Sequence, residues 1–127
     1  MSHVLLIEPD IALGRTYRQA LEHVGHSVVV TRSAQQALNV AEERKPDVVI
    51  LELQLTVHSG IEFLHEFRSY GEWQQTPVIV NTYLAPQILG KVGEVLRTDL
   101  GVTVLLYKPQ TSLQQLIRAV QEQGLAA

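Results

Sequence analysis

The chain has 127 residues, of which 46% are hydrophobic and 18% are charged, and this is the length of one domain with enough apolar material for a packed core. The formal net charge of −3 gives no broad positive field, which argues against nucleic-acid binding by this chain alone. The chain has no cysteine, no secretory signal and no apolar run near the roughly 20 residues of a membrane span, so we expect a single cytoplasmic domain over residues 1–127 with no membrane contact.

Five short runs rich in β-branched residues and leucine have the composition of strands. They lie at residues 4–7, 28–30, 48–51, 78–80 and 102–107. Four of them are continuously apolar, as expected of strands that are covered on both faces. Ser27 and Thr31 flank the second run, and this polarity predicts an edge strand.

Helical patterns separate these runs. Asp10 and Ser33 are placed to cap the first two helices, Gly60 opens the third, and the fifth begins near residues 111–112. Strand and helix thus alternate five times. This order predicts an α/β fold with a mostly parallel sheet, right-handed crossovers and helices on both faces.

The fourth helix, predicted at residues 87–97, is the weakest of the five. It contains Gly90 and Gly93, each of which costs about 1 kcal/mol relative to alanine in a helix interior. We therefore expect this helix to be the one most able to move.

Polar residues follow the strands at the ends where the chain leaves the sheet. Glu8 follows the first strand and Glu52 the third, Asn81 and Thr82 end the fourth, and Lys108 follows the fifth. Because the carboxyl ends of parallel strands open onto one edge of a sheet, these side chains should meet in one pocket. The sequence places the functional site there.

Four segments carry a resemblance to a known family. They read VLLIEPD at 4–10, PDVVILELQLTVHSG at 46–60, PVIVNT at 77–82 and LLYKP at 105–109. In these segments, their order and their spacing, the chain resembles a two-component response regulator receiver domain over essentially its whole length. The resemblance implies a doubly wound, flavodoxin-like sheet of five parallel strands in the order 2-1-3-4-5 with five helices.

The resemblance also implies roles for site residues. Receivers accept a phosphoryl group on an aspartate after the third strand, and two acidic residues after the first strand hold Mg²⁺. On this pattern Glu8 matches the first acidic residue and Thr82 the hydroxyl that contacts the phosphoryl group. Lys108 with Pro109 matches the lysine and its proline, whose peptide bond is often cis in the family.

Four positions depart from the pattern, and one of them is Thr56, which replaces the proline usual four residues after the acceptor. Glu52 occupies the phosphoacceptor position, and Pro9 stands where the second metal-binding carboxylate would lie. Asp10 comes one residue later and is better placed as a helix cap. Leu105 stands where many members have a switch aromatic, and Tyr107 lies two residues away on the same face of the strand.

These departures predict a site without ordinary phosphorylation. Mg²⁺ requires oxygen ligands in near-octahedral geometry, and Pro9 supplies no side-chain oxygen, so we expect Mg²⁺ binding to be weak or absent and no other cofactor. Glu8 and Glu52 are then remnants of a metal site. We expect the longer Glu52 side chain to reach Lys108 directly and so to imitate a phosphorylated aspartate in part.

The first functional hypothesis is therefore a pseudo-receiver, a signalling domain that is not an enzyme and acts by protein–protein contact. Its partner would be a sensor kinase, an effector domain or a second copy of the chain. The contact face would be the fourth helix, fifth strand and fifth helix, with Gly90, Gly93, Leu105 and Tyr107 as its interface residues.

Other interpretations stay open at this point. A genuine Mg²⁺-dependent phosphoacceptor would use a neighbouring carboxylate, either Asp10 or Glu52 itself, and drift would make Glu52 a tolerated polar residue. A flavodoxin-like cofactor binder is disfavoured because no glycine-rich phosphate loop follows the first strand. Trp73 is read either as a packed loop anchor or as an exposed residue that contacts a partner.

Overall fold

The computed structural model describes the backbone of residues 1–126 and the side chains of residues 1–124. Its sheet has five strands: β1 (His3–Ile7), β2 (Ser27–Thr31), β3 (Val48–Leu51), β4 (Val78–Thr82) and β5 (Val102–Tyr107). All neighbouring strands pair in parallel, in the order β2-β1-β3-β4-β5. The predicted sheet and its order are confirmed, and β2 lies at the edge that its flanking polar residues predicted.

Helices join the strands. They are α1 (Ile11–His23), α2 (Ala34–Glu43), α3 (Gly60–Ser69), α4 (Pro86–Leu89), α5 (Lys91–Thr98) and α6 (Leu113–Ala126). The described residues thus form six helices where the sequence predicted five, because the fourth is divided in two. Gly90 has φ +48°, a backbone conformation that L side chains rarely adopt, and it ends α4 before α5 begins. Within residues 1–126 no helix is long and apolar enough to cross a membrane.

Side-chain caps fix where the first three helices begin. The Asp10 carboxylate accepts a hydrogen bond from the Leu13 amide at 2.9 Å, and the Ser33 hydroxyl caps α2 in the same manner. Ser59 caps α3. Gly60, the first residue of that helix, is needed for close packing, because a Cβ there would lie 2.8 Å from the carbonyl oxygen of Glu52. The start of α3 is therefore pressed against the segment that leaves β3.

Two hydrophobic layers cover the sheet. Alternate residues of each strand point to opposite faces. In β1, Leu5 and Ile7 belong to the layer formed with α2, α3, α4 and α5, and Val4 and Leu6 belong to the layer formed with α1 and α6. Helices therefore cover both faces, as the uninterrupted apolar strands predicted. The carboxyl-terminal edge of the sheet is left open between these layers.

Trp73 belongs to the first of these layers. It is only 1% exposed, and its ring stacks on Phe67 with 4.8 Å between the ring centroids. Of the two interpretations of this tryptophan, the packed loop anchor is the one observed, and the exposed partner contact is not. The polar residues around Trp73 in the sequence gave no sign of its burial. The side chain points inward from a 3₁₀ turn at Gly71–Trp73.

Candidate functional site

The carboxyl-terminal edge of the sheet gathers an ion triad. Glu8 follows β1, Glu52 follows β3 and Lys108 follows β5. The Lys108 ammonium lies 2.6 Å from Glu8 Oε1 and 2.8 Å from Glu52 Oε2. All three side chains are 2–3% exposed, and we call this set the buried triad. The strand order brings together residues that are up to 100 positions apart in the sequence.

The second oxygen of each carboxylate has its own donor. Glu52 Oε1 accepts hydrogen bonds from the Thr82 hydroxyl at 2.8 Å and from the Gln54 amide at 3.0 Å. Glu8 Oε2 accepts one from the Asp10 amide at 3.1 Å. Buried carboxylates are costly unless they are paired and hydrogen-bonded, and here both conditions are met. The Glu52 carboxylate therefore connects the ends of β3, β4 and β5.

Lys108 is held in its charged form. Burial lowers the pKa of this ammonium, but hydrogen bonds to Glu52 and Glu8, together with the charges of these carboxylates, outweigh burial and raise it above the usual value of 10.5. The Tyr83 ring covers the group from outside, with its centroid 4.6 Å from Nζ. The triad thus has a permanent cation at neutral pH.

The direction of this pKa shift predicts how stability depends on alkaline pH. Because the folded-state pKa lies above the unfolded-state value of 10.5, the ion-pair stabilisation is fully present below that pH and is lost as pH rises through the folded-state pKa. The difference in unfolding free energy between wild type and Lys108→Met, measured by urea denaturation, should therefore narrow above pH 10.5. If the difference in unfolding free energy stays constant into strong alkali, the stabilisation does not come from the charged form of Lys108.

The site residues do not fit Mg²⁺, the ion that the resemblance implies. One oxygen of Glu8 and one of Glu52 are already in contact with the Lys108 ammonium, and Pro9 has no side-chain oxygen. The Asp10 side chain is exposed and bonded to the amide that begins α1. No group of three or more histidine, cysteine or acidic side chains within the described part of the chain could hold a metal ion.

Asn81 and Pro109 lie beside the triad without joining it. Asn81 is buried, but its side chain points to the opposite face from Thr82, where its Oδ1 has no partner. It lies next to Tyr17, whose phenol pKa is raised by burial against the lowering effect of its hydrogen bond with Asn81. The peptide bond before Pro109 is trans, as are all those between described residues.

The predicted interface residues also meet. Gly90, Gly93, Leu105 and Tyr107 all line a cavity of about 250 Å³ between the divided helix and β5, and the wall of this cavity reaches Thr82. The exposed apolar side chain of Ile88 lies close by in α4 and is 72% exposed. The cavity therefore lies between Thr82, which donates a hydrogen bond to Glu52, and a partly apolar surface.

Sequence reasoning missed two contributors to the site. Tyr83 covers Lys108, and the Gln54 amide donates to Glu52. The only available signal for Tyr83 was an aromatic residue directly after Thr82 in a short loop. A backbone donor such as Gln54 leaves no signal in the identity of its side chain.

The chain matches the model of one protein family, the response regulator receiver domain, over residues 4–121. It is 41% identical over 80 residues to the KDP operon transcriptional regulatory protein KdpE of Escherichia coli, a match that covers 63% of this chain and 34% of that protein. It is 30% identical over 82 residues to the polar-differentiation response regulator DivK of Brucella ovis, with 65% and 67% covered. The chain therefore spans only about a third of the length of the first of these relatives.

Solved structures give the same architecture. The chemotaxis response regulator CheY4 of Vibrio cholerae superposes with a TM-score of 0.85 at 24% identity, over 97% of this chain and 98% of that one. A receiver domain protein from Methanospirillum hungatei superposes with a TM-score of 0.85 at 19% identity, over 100% and 99%. At these identities the likeness supports the fold alone.

Proposed function

This chain belongs to the family of response regulator receiver domains of two-component signalling, and from that premise we propose that it is a pseudo-receiver. It acts as one cytoplasmic domain over residues 1–127, without enzymatic activity, through protein contacts that do not depend on phosphorylation. The observation that carries the proposal is the Lys108 ammonium held between Glu8 and Glu52, at 2.6 Å and 2.8 Å.

The state of Glu52 supports this function. Phosphoryl transfer to a carboxylate depends on a positioned nucleophile and on cations that stabilise the spreading negative charge. Both oxygens of Glu52 are already engaged, one by Lys108 and one by Thr82. A residue tolerated through drift would need no such contacts, so the ion pair with Lys108 and the hydrogen bond from Thr82 favour a maintained interaction.

The contacts of Glu52 resemble those expected of a phosphorylated aspartate. Its carboxylate contacts the hydroxyl after β4 and the lysine after β5, which are the groups that the family pattern assigns to the phosphoryl group. The imitation is partial, since a phosphoryl group brings close to two negative charges and three acceptor oxygens. We propose that Glu52 supplies a permanent signal in place of a reversible one.

The second candidate, a Mg²⁺-dependent phosphoacceptor on a neighbouring carboxylate, has less support. Asp10 is the alternative acceptor that the sequence offered, but its side chain is exposed and caps α1. Glu52 would first have to leave Lys108, and no acidic side chain at position 9 would help to hold the metal. We therefore rank this function below the pseudo-receiver.

We propose that one partner surface lies on the α4–α5 pair, β5 and α6. Exposed apolar side chains there, Ile88, Val92 and Val95, can be covered by a sensor kinase, an effector domain or a second copy of the chain. The adjoining cavity, lined by Gly93 and Leu105, reaches Thr82 and would let this surface respond to the triad. The negative net charge gives no support to nucleic acid as the partner.

Beryllofluoride, which imitates a phosphoryl group in receivers, tests the proposed function. With Mg²⁺ and beryllofluoride added, we expect the amide NMR spectrum to stay unchanged, because Glu52 and Lys108 already satisfy each other. The Pro9→Asp/Glu52→Asp variant provides the matched control that should respond. Large shifts of the Thr82 and Leu84 amides in the wild type would overturn the proposal.

A further inference from the structure

Two buried histidines lie at the amino-terminal edge of the sheet, at the opposite end of the strands from the buried triad. His3 begins β1, and His26 directly precedes β2, the neighbouring strand. The His26 side chain belongs to a residue that is only 7% exposed. Because histidine is the side chain whose usual pKa lies closest to neutrality, its burial at this edge bears on how the domain responds to acid.

The contacts of His26 fix its ring in one tautomer. The backbone N–H of Ser2 donates a hydrogen bond to His26 Nδ1 at 3.2 Å. A ring nitrogen that accepts a hydrogen bond carries no proton, so the neutral ring has its proton on Nε2. An imidazolium carries a proton on each nitrogen and has no acceptor left. Protonation of His26 therefore breaks its hydrogen bond with Ser2.

Two further contacts hold residues 1–2 on the turn between α1 and β2. The Ser27 N–H donates to the Ser2 carbonyl at 3.0 Å. The Met1 side chain lies against Gly25, since a Cβ on that glycine would lie 2.6 Å from Met1 Cε. Ser2 is thus bonded through both of its backbone groups to consecutive residues of the chain. Loss of its bond to His26 leaves the bond to Ser27 to hold this segment with less support.

The charged groups around His26 come from different parts of the chain. The Met1 amino group lies in the segment before β1, and its positive charge disfavours protonation of the ring. Asp47, between α2 and β3, lines the same cavity as His26, but its carboxylate already accepts a hydrogen bond from the amide that begins β1. From α6, Gln121 and Gln123 line this cavity, and they do not titrate.

Helix α1 ends next to His26 without adding a charge that stabilises the protonated ring. Glu22 is exposed and pairs with Arg18, and His23 is exposed and lines a different groove. Burial, and then the charge of the Met1 amino group, lower the pKa of His26 below its usual 6.5. Since the folded-state pKa is the lower one, the contacts of the neutral ring are fully present above pH 6.5 and weaken as pH falls from there toward the folded-state pKa.

His3 is the second titratable ring, but its contacts do not hold residues 1–2. Its Nδ1 lies 2.9 Å from the Ser27 hydroxyl, which can donate to a neutral ring or accept from a protonated one. Burial and the positive charge of Arg44 lower the pKa of His3, against the raising effect of Asp47. Because His3 lies within β1, its protonation opposes folding of the whole domain and leaves the bond between Ser2 and His26 in place.

We propose that residues 1–2 form an acid-sensitive latch, in which protonation of His26 releases Ser2 from the start of the edge strand β2. Release leaves the Ser27 N–H without its carbonyl partner and uncovers the turn between α1 and β2. The latch is closed at neutral pH. It does not depend on the pseudo-receiver function proposed above, because the buried triad lies at the other edge of the sheet.

Amide hydrogen exchange of Ser27, followed by NMR and expressed as a protection factor, tests the latch. Between about pH 7.5 and about pH 5, the protection factor should fall at least about fivefold in the wild type, because the open latch takes up a proton at His26. It should stay below the protection factor of Val49 in β3 throughout, which identifies local release and not global unfolding. A Ser27 protection factor that does not fall in acid, or that equals that of Val49, would overturn the proposal.

Matched variants assign the effect to one ring. His26→Asn places an amide oxygen where Nδ1 accepts from Ser2 and does not titrate, so the Ser27 protection factor should change less than about twofold over the same range. His23→Asn removes an exposed histidine nearby, and His3→Asn removes the other buried one, and both should keep the fall seen in the wild type. An equal fall in His26→Asn and the wild type would show that another group controls the segment.

The wild-type ring itself provides a test that does not depend on the folding of any variant. Long-range ¹H–¹⁵N spectra should show His26 Nδ1 unprotonated and Nε2 protonated at neutral pH, with a titration midpoint below 6.5. Any purification tag is placed after residue 127. If processing removes Met1, the new amino group of Ser2 donates to the same nitrogen, and the same result is expected. A proton on Nδ1 at neutral pH, or a midpoint at or above 6.5, would overturn the latch.

Discussion

Replacing Lys108 with methionine is expected to lower the free energy of unfolding by about 3–5 kcal/mol, because the change leaves two buried carboxylates without their cation. Glu8 and Glu52 are each almost fully buried and both contact the ammonium that would be lost. Against a total stability of roughly 5–15 kcal/mol for a domain, this is a large fraction. Urea denaturation at neutral pH, followed by circular dichroism, measures the loss.

A compensating variant distinguishes lost charge balance from lost packing. Adding Glu8→Gln and Glu52→Gln to Lys108→Met removes both uncompensated charges and should recover most of the stability. A Lys108→Met protein as stable as the wild type would show that the triad is not the buried ionic cluster described here. A triple variant no more stable than Lys108→Met alone would show that packing, and not charge, is what the lysine provides.

The second large effect is expected from restoring the family pattern. Glu52→Asp withdraws the carboxylate from Lys108 by one methylene, and Pro9→Asp adds carboxylate oxygens beside Glu8. Together these changes should create measurable Mg²⁺ binding, which needs several oxygen ligands around one ion. Isothermal titration calorimetry should detect heat of Mg²⁺ binding with the double variant and none with the wild type.

The two single variants are the controls for the expected gain of Mg²⁺ binding. Glu52→Asp alone lacks a ligand at position 9, and Pro9→Asp alone leaves Glu52 paired with Lys108. Neither should bind Mg²⁺ with the affinity of the double variant. Binding by wild type that equals the double variant would contradict the conclusion that Pro9 and the ion pair exclude the metal.

Most of the fold followed from the apolar pattern of the sequence. Continuous apolar strands such as Val48–Leu51 can only be buried on both faces, and alternation with helices then leaves few topologies. The division of the fourth helix at Gly90 was not predicted. Helix propensity gives an energetic cost for a glycine, but it does not say whether the backbone there adopts the positive φ that breaks the helix.

The sequence predicted which residues form the site, but it did not predict how their atoms are arranged. Parallel strands bring Glu8, Glu52 and Lys108 to one edge, and the spacing of the family pattern indicated the same residues. Asn81 was expected in the same pocket, yet the period of two in a strand turns it away from Thr82. Which carboxylate oxygen faces the ammonium, and which accepts from a backbone amide, depends on loop conformations that local sequence does not determine.

The most direct test of the central claim is the intact mass of the wild-type protein after incubation with Mg²⁺ and acetyl phosphate. A Glu52 carboxylate permanently paired with Lys108 predicts an unchanged mass, while the Pro9→Asp/Glu52→Asp variant should gain one phosphoryl group under the same conditions. A wild-type protein that gains a phosphoryl group, and loses it when Glu52 or Asp10 is replaced by alanine, would contradict the account.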